Sequence, residues 1–210
     1  VNGITGDREN ANHDGSLHMM VKRIVVVALI LSVSAAFPGE VRAGVAEQKQ
    51  RTVEKYTVPD VVLVNQDGAK ISLKKYLETD KPVMVDFIYG TCTTICPVLS
   101  AAFVSLQRRL GTNSRDVRLV SISIDPENDS PKVMKEYLKR YRAMPGWDFL
   151  TGSRADIDRV MYAFSAYVAN KMDHYPLTLI RHPSDGRWVR VDGLMSSSEL
   201  LEEYKRVVKK

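Results

Sequence analysis

Pro82-Val83-Met84-Val85-Asp86-Phe87-Ile88-Tyr89-Gly90-Thr91-Cys92-Thr93-Thr94-Ile95-Cys96-Pro97 decides the fold. Residues 82–89 are a short apolar, β-branched run of the kind that fills a buried strand, and Gly90 breaks it. Pro97 opens residues 98–110, which read as a helix, because a proline suits a first helical position where its missing N–H would have no partner anyway. The only two cysteines of the 210-residue chain therefore sit on a strand-to-helix corner. A helix N-terminus offers unpaired N–H groups and positive partial charge, which favour a thiolate over a thiol. If the first helical turn begins near Cys92, the spacing of four places both sulfurs on one helix face. Such a pair can close a disulfide or hold one soft metal ion; two ordinary small core residues are the plain alternative.

Outward from this corner, residues 117–124 form a second core strand that ends at Asp125-Pro126. Ser130 is a helix N-cap with Pro131 at the first helical position, and that helix runs to about Tyr141. Residues 147–150 are a short strand and 155–164 a helix. Residues 177–180 and 187–191 are two strands joined through Asp185-Gly186 as a hairpin, and 199–208 a closing helix. Upstream, residues 58–64 and 70–73 flank Asn65-Gln66-Asp67-Gly68 as an N-terminal β-hairpin. Strands alternating with helices, finished by a hairpin and a helix, predict an α/β fold: a mixed sheet flanked by helices on both faces, on the thioredoxin-like plan, over residues 56–210.

The front end reads differently. Residues 1–18 are polar and without a hydrophobic period, an upstream extension. From about Met19 a secretory signal follows, with Lys22-Arg23 as the positive region, residues 24–36 as the apolar region and Val41-Arg42-Ala43 as the cleavage site. Thirteen apolar residues fall short of the roughly 20 needed to span a bilayer; membrane contact is expected only if the signal is retained as an anchor. Residues 44–55 read as a flexible lead-in. The net charge of +5 is unchanged by removal of residues 1–43, and the excess is too dispersed for a nucleic-acid partner. The expectation is an exported, periplasmic protein in an oxidising compartment, whose thiols need an external thiol reductant to stay reduced.

His174, in Lys171-Met172-Asp173-His174-Tyr175-Pro176, approaches the hairpin strand, a loop that in a thioredoxin-like fold lies beside the thiol helix. Two thiolates and a neutral imidazole form a soft donor set that suits copper, with Cu(I) favoured by the thiolates. Asp173 is a candidate to orient the imidazole, and Met172 is a further soft atom. His182 reads as exposed loop.

Residues 89–97, Ser123-Ile124-Asp125-Pro126-Glu127-Asn128-Asp129-Ser130-Pro131, Trp147-Asp148-Phe149-Leu150-Thr151-Gly152 and Asp173-His174 together resemble the Sco/SenC family of copper-binding assembly factors. The resemblance covers residues 56–208. It implies a thioredoxin-like fold and one copper ion, Cu(I) or Cu(II), on Cys92, Cys96 and His174. It further implies a part in maturing the copper centre of a respiratory oxidase, by delivering copper to an oxidase subunit or other exported cuproprotein, or by reducing its cysteines. Two places depart from the family pattern. Asp86 lies in the strand before the cysteines, as a buried carboxylate does in thioredoxins, and is a candidate proton acceptor. Tyr175-Pro176 follows Asp-His where the family commonly has serine, and Pro176 stands where thioredoxins expose backbone to a dithiol substrate. Both lean toward the alternative of a thiol-disulfide oxidoreductase with redox-active Cys92 and Cys96 and no obligatory metal. The acidic turn of Asp125, Glu127 and Asp129 reads either as a partner-docking surface or as a cap for the following helix. The Pro-x-x-x-Thr-x-x-Cys setting of a peroxidatic cysteine is absent.

Overall fold

Val83–Ile88 is a strand with all six residues buried, as its apolar run, interrupted only by Asp86, predicts for a strand covered on both faces. A computed structural model describes residues 49–208, which fall in one folded unit. The expected extension, signal and cleavage site lie outside the described residues, as does the start of the lead-in. In chain order the strands are β1 (Gln50–Glu54), β2 (Val62–Asn65), β3 (Lys70–Ser72), β4 (Val83–Ile88), β5 (Arg118–Ser123), β6 (Trp147–Thr151), β7 (Leu177–Arg181) and β8 (Trp188–Asp192). The helices are α1 (Leu73–Leu77), α2 (Cys96–Leu110), α3 (Pro131–Tyr141), α4 (Arg154–Ala163) and α5 (Ser197–Val208). Short 3-10 turns cover Gly111–Asp116 and Lys171–Asp173.

All eight strands join one mixed sheet in the order β1-β8-β7-β4-β5-β6-β2-β3. The core of it is the parallel set β4, β5, β6, with β7 antiparallel on the other side of β4. Each right-handed crossover β4-α2-β5 and β5-α3-β6 steps the same way along the sheet, so α2 and α3 lie on one face. There Phe103 meets Trp147 edge-on with centroids 5.7 Å apart, and Tyr137 meets Phe149 at 5.5 Å. The return from β6 through α4 to β7 covers the opposite face, where Phe164 packs against Phe87, Tyr56 and Trp188. Successive β4 side chains alternate between these layers, which separates Asp86 from Phe87. The sheet flanked by helices and the N-terminal hairpin agree with the sequence reading; β2 and β3 close through Gly68 at φ 79°, with Asn65 Oδ1 accepting the Asp67 and Ala69 N–H groups. Among the described residues, no helix is long and apolar enough to cross a membrane.

Two local expectations are corrected and one condition is settled. Gln50–Glu54, assigned to the flexible lead-in, is an edge strand paired antiparallel with β8. Its polar sequence carries no strand signal of its own; Arg51 fixes it by two hydrogen bonds, 3.0 and 3.1 Å, to the buried carboxylate of Glu203 on α5. Leu73, expected to end the second hairpin strand, instead starts α1, because Leu73 and Leu77 at helical spacing both bury completely. Finally, the thiol helix opens where Pro97 predicts, beginning at Cys96 with Ile95 as its N-cap, so the condition for one shared helix face, a first turn near Cys92, is not met. Cys92 lies in the preceding turn, where its N–H donates to the Tyr89 carbonyl at 3.2 Å.

Candidate metal centre

Because β4 is locked between β5 and β7, the loop that follows it leaves from a fixed point. Gly90 makes the exit: its N–H donates to both carboxylate oxygens of Asp129, at 3.0 and 3.2 Å, and a Cβ there would fall 2.7 Å from Asp129 Oδ1. Asp129 is fully buried and also accepts from Ser123 Oγ at 2.6 Å. Burial pushes its carboxyl up, while the Ser123 hydroxyl and the Gly90 N–H favour the charge. Asp125 is buried too, held by Lys171 Nζ at 2.6 Å and by Asn128. The acidic turn, read as either a docking surface or a helix cap, is therefore internal bracing at two of its three carboxylates. Glu127, the exposed third, pairs with Arg154.

Both cysteines are buried free thiols. Burial disfavours the Cys92 thiolate, but hydrogen bonds from the Cys96 thiol, the Cys96 and Thr94 N–H groups and the Thr94 hydroxyl outweigh it, bringing Cys92 down to about 7. The donors are the start of α2 and the turn before it, so the helix-terminus effect survives although Cys92 is outside the helix. Cys96 moves the opposite way, pushed up by burial and then by the neighbouring Cys92. One proton thus resides on Cys96 and is offered to Cys92.

His174 caps the 3-10 turn Lys171–Asp173 and lies half-buried. Its Nε2 is 2.6 Å from the carbonyl oxygen of Phe87 on β4, and the ring meets Tyr89 edge-on at 6.0 Å. A carbonyl only accepts, so Nε2 carries the proton and Nδ1 holds the free lone pair of the neutral ring. Burial lowers the imidazole pKa despite the Phe87 contact, which keeps it neutral. One ligand atom each from Cys92, Cys96 and His174 lie within 4.8 Å of one another. Two sulfurs and a neutral nitrogen this close are a donor set that a single soft cation can bridge.

The other sequence candidates fall around this centre in different ways. Asp173 is exposed, makes no side-chain hydrogen bond and does not orient His174; the Phe87 carbonyl takes that role. Pro176 is buried, its carbonyl accepting from Gly193 N–H at 2.8 Å. Asp86 is fully buried on the α2 and α3 face, and neither of its oxygens has a hydrogen-bond partner. Ser121, its neighbour on β5, accepts from Trp147 Nε1, and it favours the Asp86 charge without outweighing burial. Burial therefore pushes Asp86 up to about 7, and its charge is felt at Cys96. His182 is half-buried, 2.9 Å from Ser184 Oγ at the far hairpin.

Sequence reasoning missed Phe87 and Lys171, and it singled out Asp129 without its bond to the Gly90 N–H. Phe87 acts through its backbone, which no side-chain pattern reveals. Lys171 was legible only as a charged residue beside a candidate ligand.

The comparisons with known proteins agree with this geometry. The SCO1 protein homolog of Bacillus subtilis is 39% identical over 116 residues, 54% of this chain and 59% of that protein, less than two thirds of its length. BsSco, of the Sco family of cytochrome c oxidase assembly proteins and the subject of an identified disulfide switch, superposes with a TM-score of 0.62 at 31% identity, covering 74% of this chain and 95% of the other. Bradyrhizobium japonicum ScoI, solved with copper bound, gives a TM-score of 0.61 at 27% identity over 74% of this chain and all of its own. The family model described as SCO1/SenC matches residues 48–208. That span holds the whole eight-stranded sheet together with Cys92, Cys96 and His174, and the chain belongs to the SCO1/SenC family.

Proposed function

We propose that this protein binds one copper ion through Cys92, Cys96 and His174 and serves the assembly of a copper-containing respiratory oxidase, delivering copper to an oxidase subunit or other exported cuproprotein. The observation that carries this reading is the convergence of two sulfurs and an imidazole nitrogen within 4.8 Å. The copper-bound relative from Bradyrhizobium supports the choice of metal. Thiolates are soft ligands and favour Cu(I). Loading displaces the proton held between the sulfurs, so metal uptake releases acid. Cys92, down at about 7, supplies the first thiolate at neutral pH, and Nδ1 of His174 is the nitrogen left with a lone pair. The signal-like residues 19–43 support work outside the cytoplasm, in the periplasm.

Oxidation of the pair to a disulfide removes both thiolates, so redox state gates loading, and an external thiol reductant keeps the site open. X-ray absorption on reduced protein carrying one equivalent of copper is the direct test. Two sulfur scatterers and one imidazole are expected; a shell of only oxygen and nitrogen would refute the assignment.

A second reading rests on the opposed shifts of the two thiols and the unpartnered carboxylate beneath Cys96. As a thiol-disulfide reductase, the Cys92 thiolate attacks a substrate disulfide, forming a mixed disulfide and expelling one substrate thiolate. Cys96, surrendering its proton to Asp86, then attacks the Cys92 sulfur and expels the second substrate thiolate. The substrate leaves reduced, and an external thiol resets the Cys92–Cys96 disulfide. A Cys96→Ser variant should stall at the mixed disulfide; absence of any trapped partner in an envelope extract argues against this route.

A further inference from the structure

Met172 is 70% exposed, more than any other large apolar side chain among the described residues. Burying such a side chain is favourable, so its position in solvent is a feature to explain. It sits in the turn that carries His174. The backbone there is pinned, because Asn170 Oδ1 accepts the Met172 N–H at 3.0 Å and Lys171 is bound to Asp125. The side chain itself has a single polar contact: the Tyr89 hydroxyl donates to Sδ at 3.6 Å. Tyr89 also packs edge-on against His174, with centroids 6.0 Å apart. One tyrosine therefore touches both the thioether and a ligand of the cluster, and an unbranched side chain with three rotatable bonds can swing from the first toward the second.

We infer that Met172 is the capture ligand of this centre, the soft atom that takes Cu(I) from outside and passes it inward to Cys92. The inference rests on the copper-site reading above. A thioether is neutral and soft, so it binds Cu(I) without first losing a proton, whereas Cys96 must be deprotonated. In the step, the Tyr89 hydroxyl releases Sδ and a Cu–S bond forms to Met172. A bond to the Cys92 thiolate then replaces it by ligand exchange, and the Cys96 proton leaves to solvent as the second thiolate and His174 close on the metal. Copper stays Cu(I) throughout, and no electron is transferred.

The test compares wild type with Met172→Leu, which keeps an apolar side chain of similar size without the sulfur. Metal is offered to the reduced protein as the Cu(I)–bicinchoninate complex and, separately, as the Zn(II)–pyridylazoresorcinol complex, and the rate of chelator release is followed by absorbance. The variant should capture Cu(I) more slowly by a factor on the order of ten, the lower end of what loss of an outer-shell partner costs. Its final Cu(I) stoichiometry and its Zn(II) rate should be unchanged, since zinc gains little from a thioether. Equal Cu(I) rates in the two proteins overturn the inference. So does equal slowing of both metals, which is what a merely packing role for Met172 would produce. Wild-type protein that takes up no Cu(I) removes the copper site itself, a separate failure visible before any variant is made.

Discussion

In a Cys92→Ala, His174→Ala double variant, copper retained after dialysis of the reduced protein is expected to fall from one equivalent to background. The two changes remove the low-pKa sulfur and the only imidazole of the cluster, leaving Cys96 alone. Cys96 is the worse ligand to be left with: it is fully buried, and burial is the largest cause holding its thiol up. Loss of an outer-shell partner of a metal ligand costs roughly 10- to 100-fold in affinity; loss of two ligands should exceed that by a wide margin. His174→Ala alone should weaken binding less, since two thiolates still satisfy Cu(I). Metal analysis after dialysis against a chelator reads the outcome, with circular dichroism to show that the sheet is intact. An unchanged equivalent of copper in the double variant would sink the metal assignment.

The second large effect concerns Asp86 and is a matter of stability. Its folded pKa, about 7, lies above the ordinary value of 3.8, so between those two pH values the folded protein holds a proton that the unfolded chain has released. Stability therefore falls as pH rises through this window and levels off above it. A shift of this size is worth about 4 kcal/mol in full, at 1.36 kcal/mol per pKa unit. Between pH 5 and pH 8 about 2–3 kcal/mol of it should be lost. Asparagine has the shape without the titration. Urea unfolding of wild type and Asp86→Asn at both pH values isolates the effect: wild type should lose that much relative to the variant on going to pH 8. Parallel pH dependence of the two proteins would show that Asp86 is not the buried unpaired acid described here. An acid that is half ionised near neutrality and whose charge acts on Cys96 is also what the reductase route requires of a proton acceptor.

The sequence reading succeeded where local chemistry dictates structure. A β-branched, apolar run interrupted only by Asp86 became β4, a proline after the second cysteine marked the first turn of α2, and Ser130 with Pro131 capped α3 through the Val133 N–H. It failed where tertiary partners override local signals. β1 has no apolar alternation because its stability comes from pairing with β8 and from Arg51 on Glu203. The condition for both sulfurs to share one helix face, a first turn near Cys92, is not met, because the structure gives Cys92 a turn of its own before the helix. At the site, the pattern named the residues whose side chains converge but mistook the support. Asp173 was the expected partner of His174 on grounds of adjacency, yet the ring reaches across to a backbone carbonyl 87 positions earlier in the chain. A carboxylate next in sequence to a ligand is not next to it in space when a turn ends between them.

The anchor for His174 has a mechanical consequence. The cysteines hang from the end of β4 through Gly90, and the imidazole is tied to the same strand through Phe87. Both jaws of the clamp are thus indexed to one rigid bar rather than to each other through two loops. That bar is bonded along both edges and wholly enclosed, which makes it among the last parts of the protein to open in local unfolding. The bite of the clamp should outlast the loosening of everything around it.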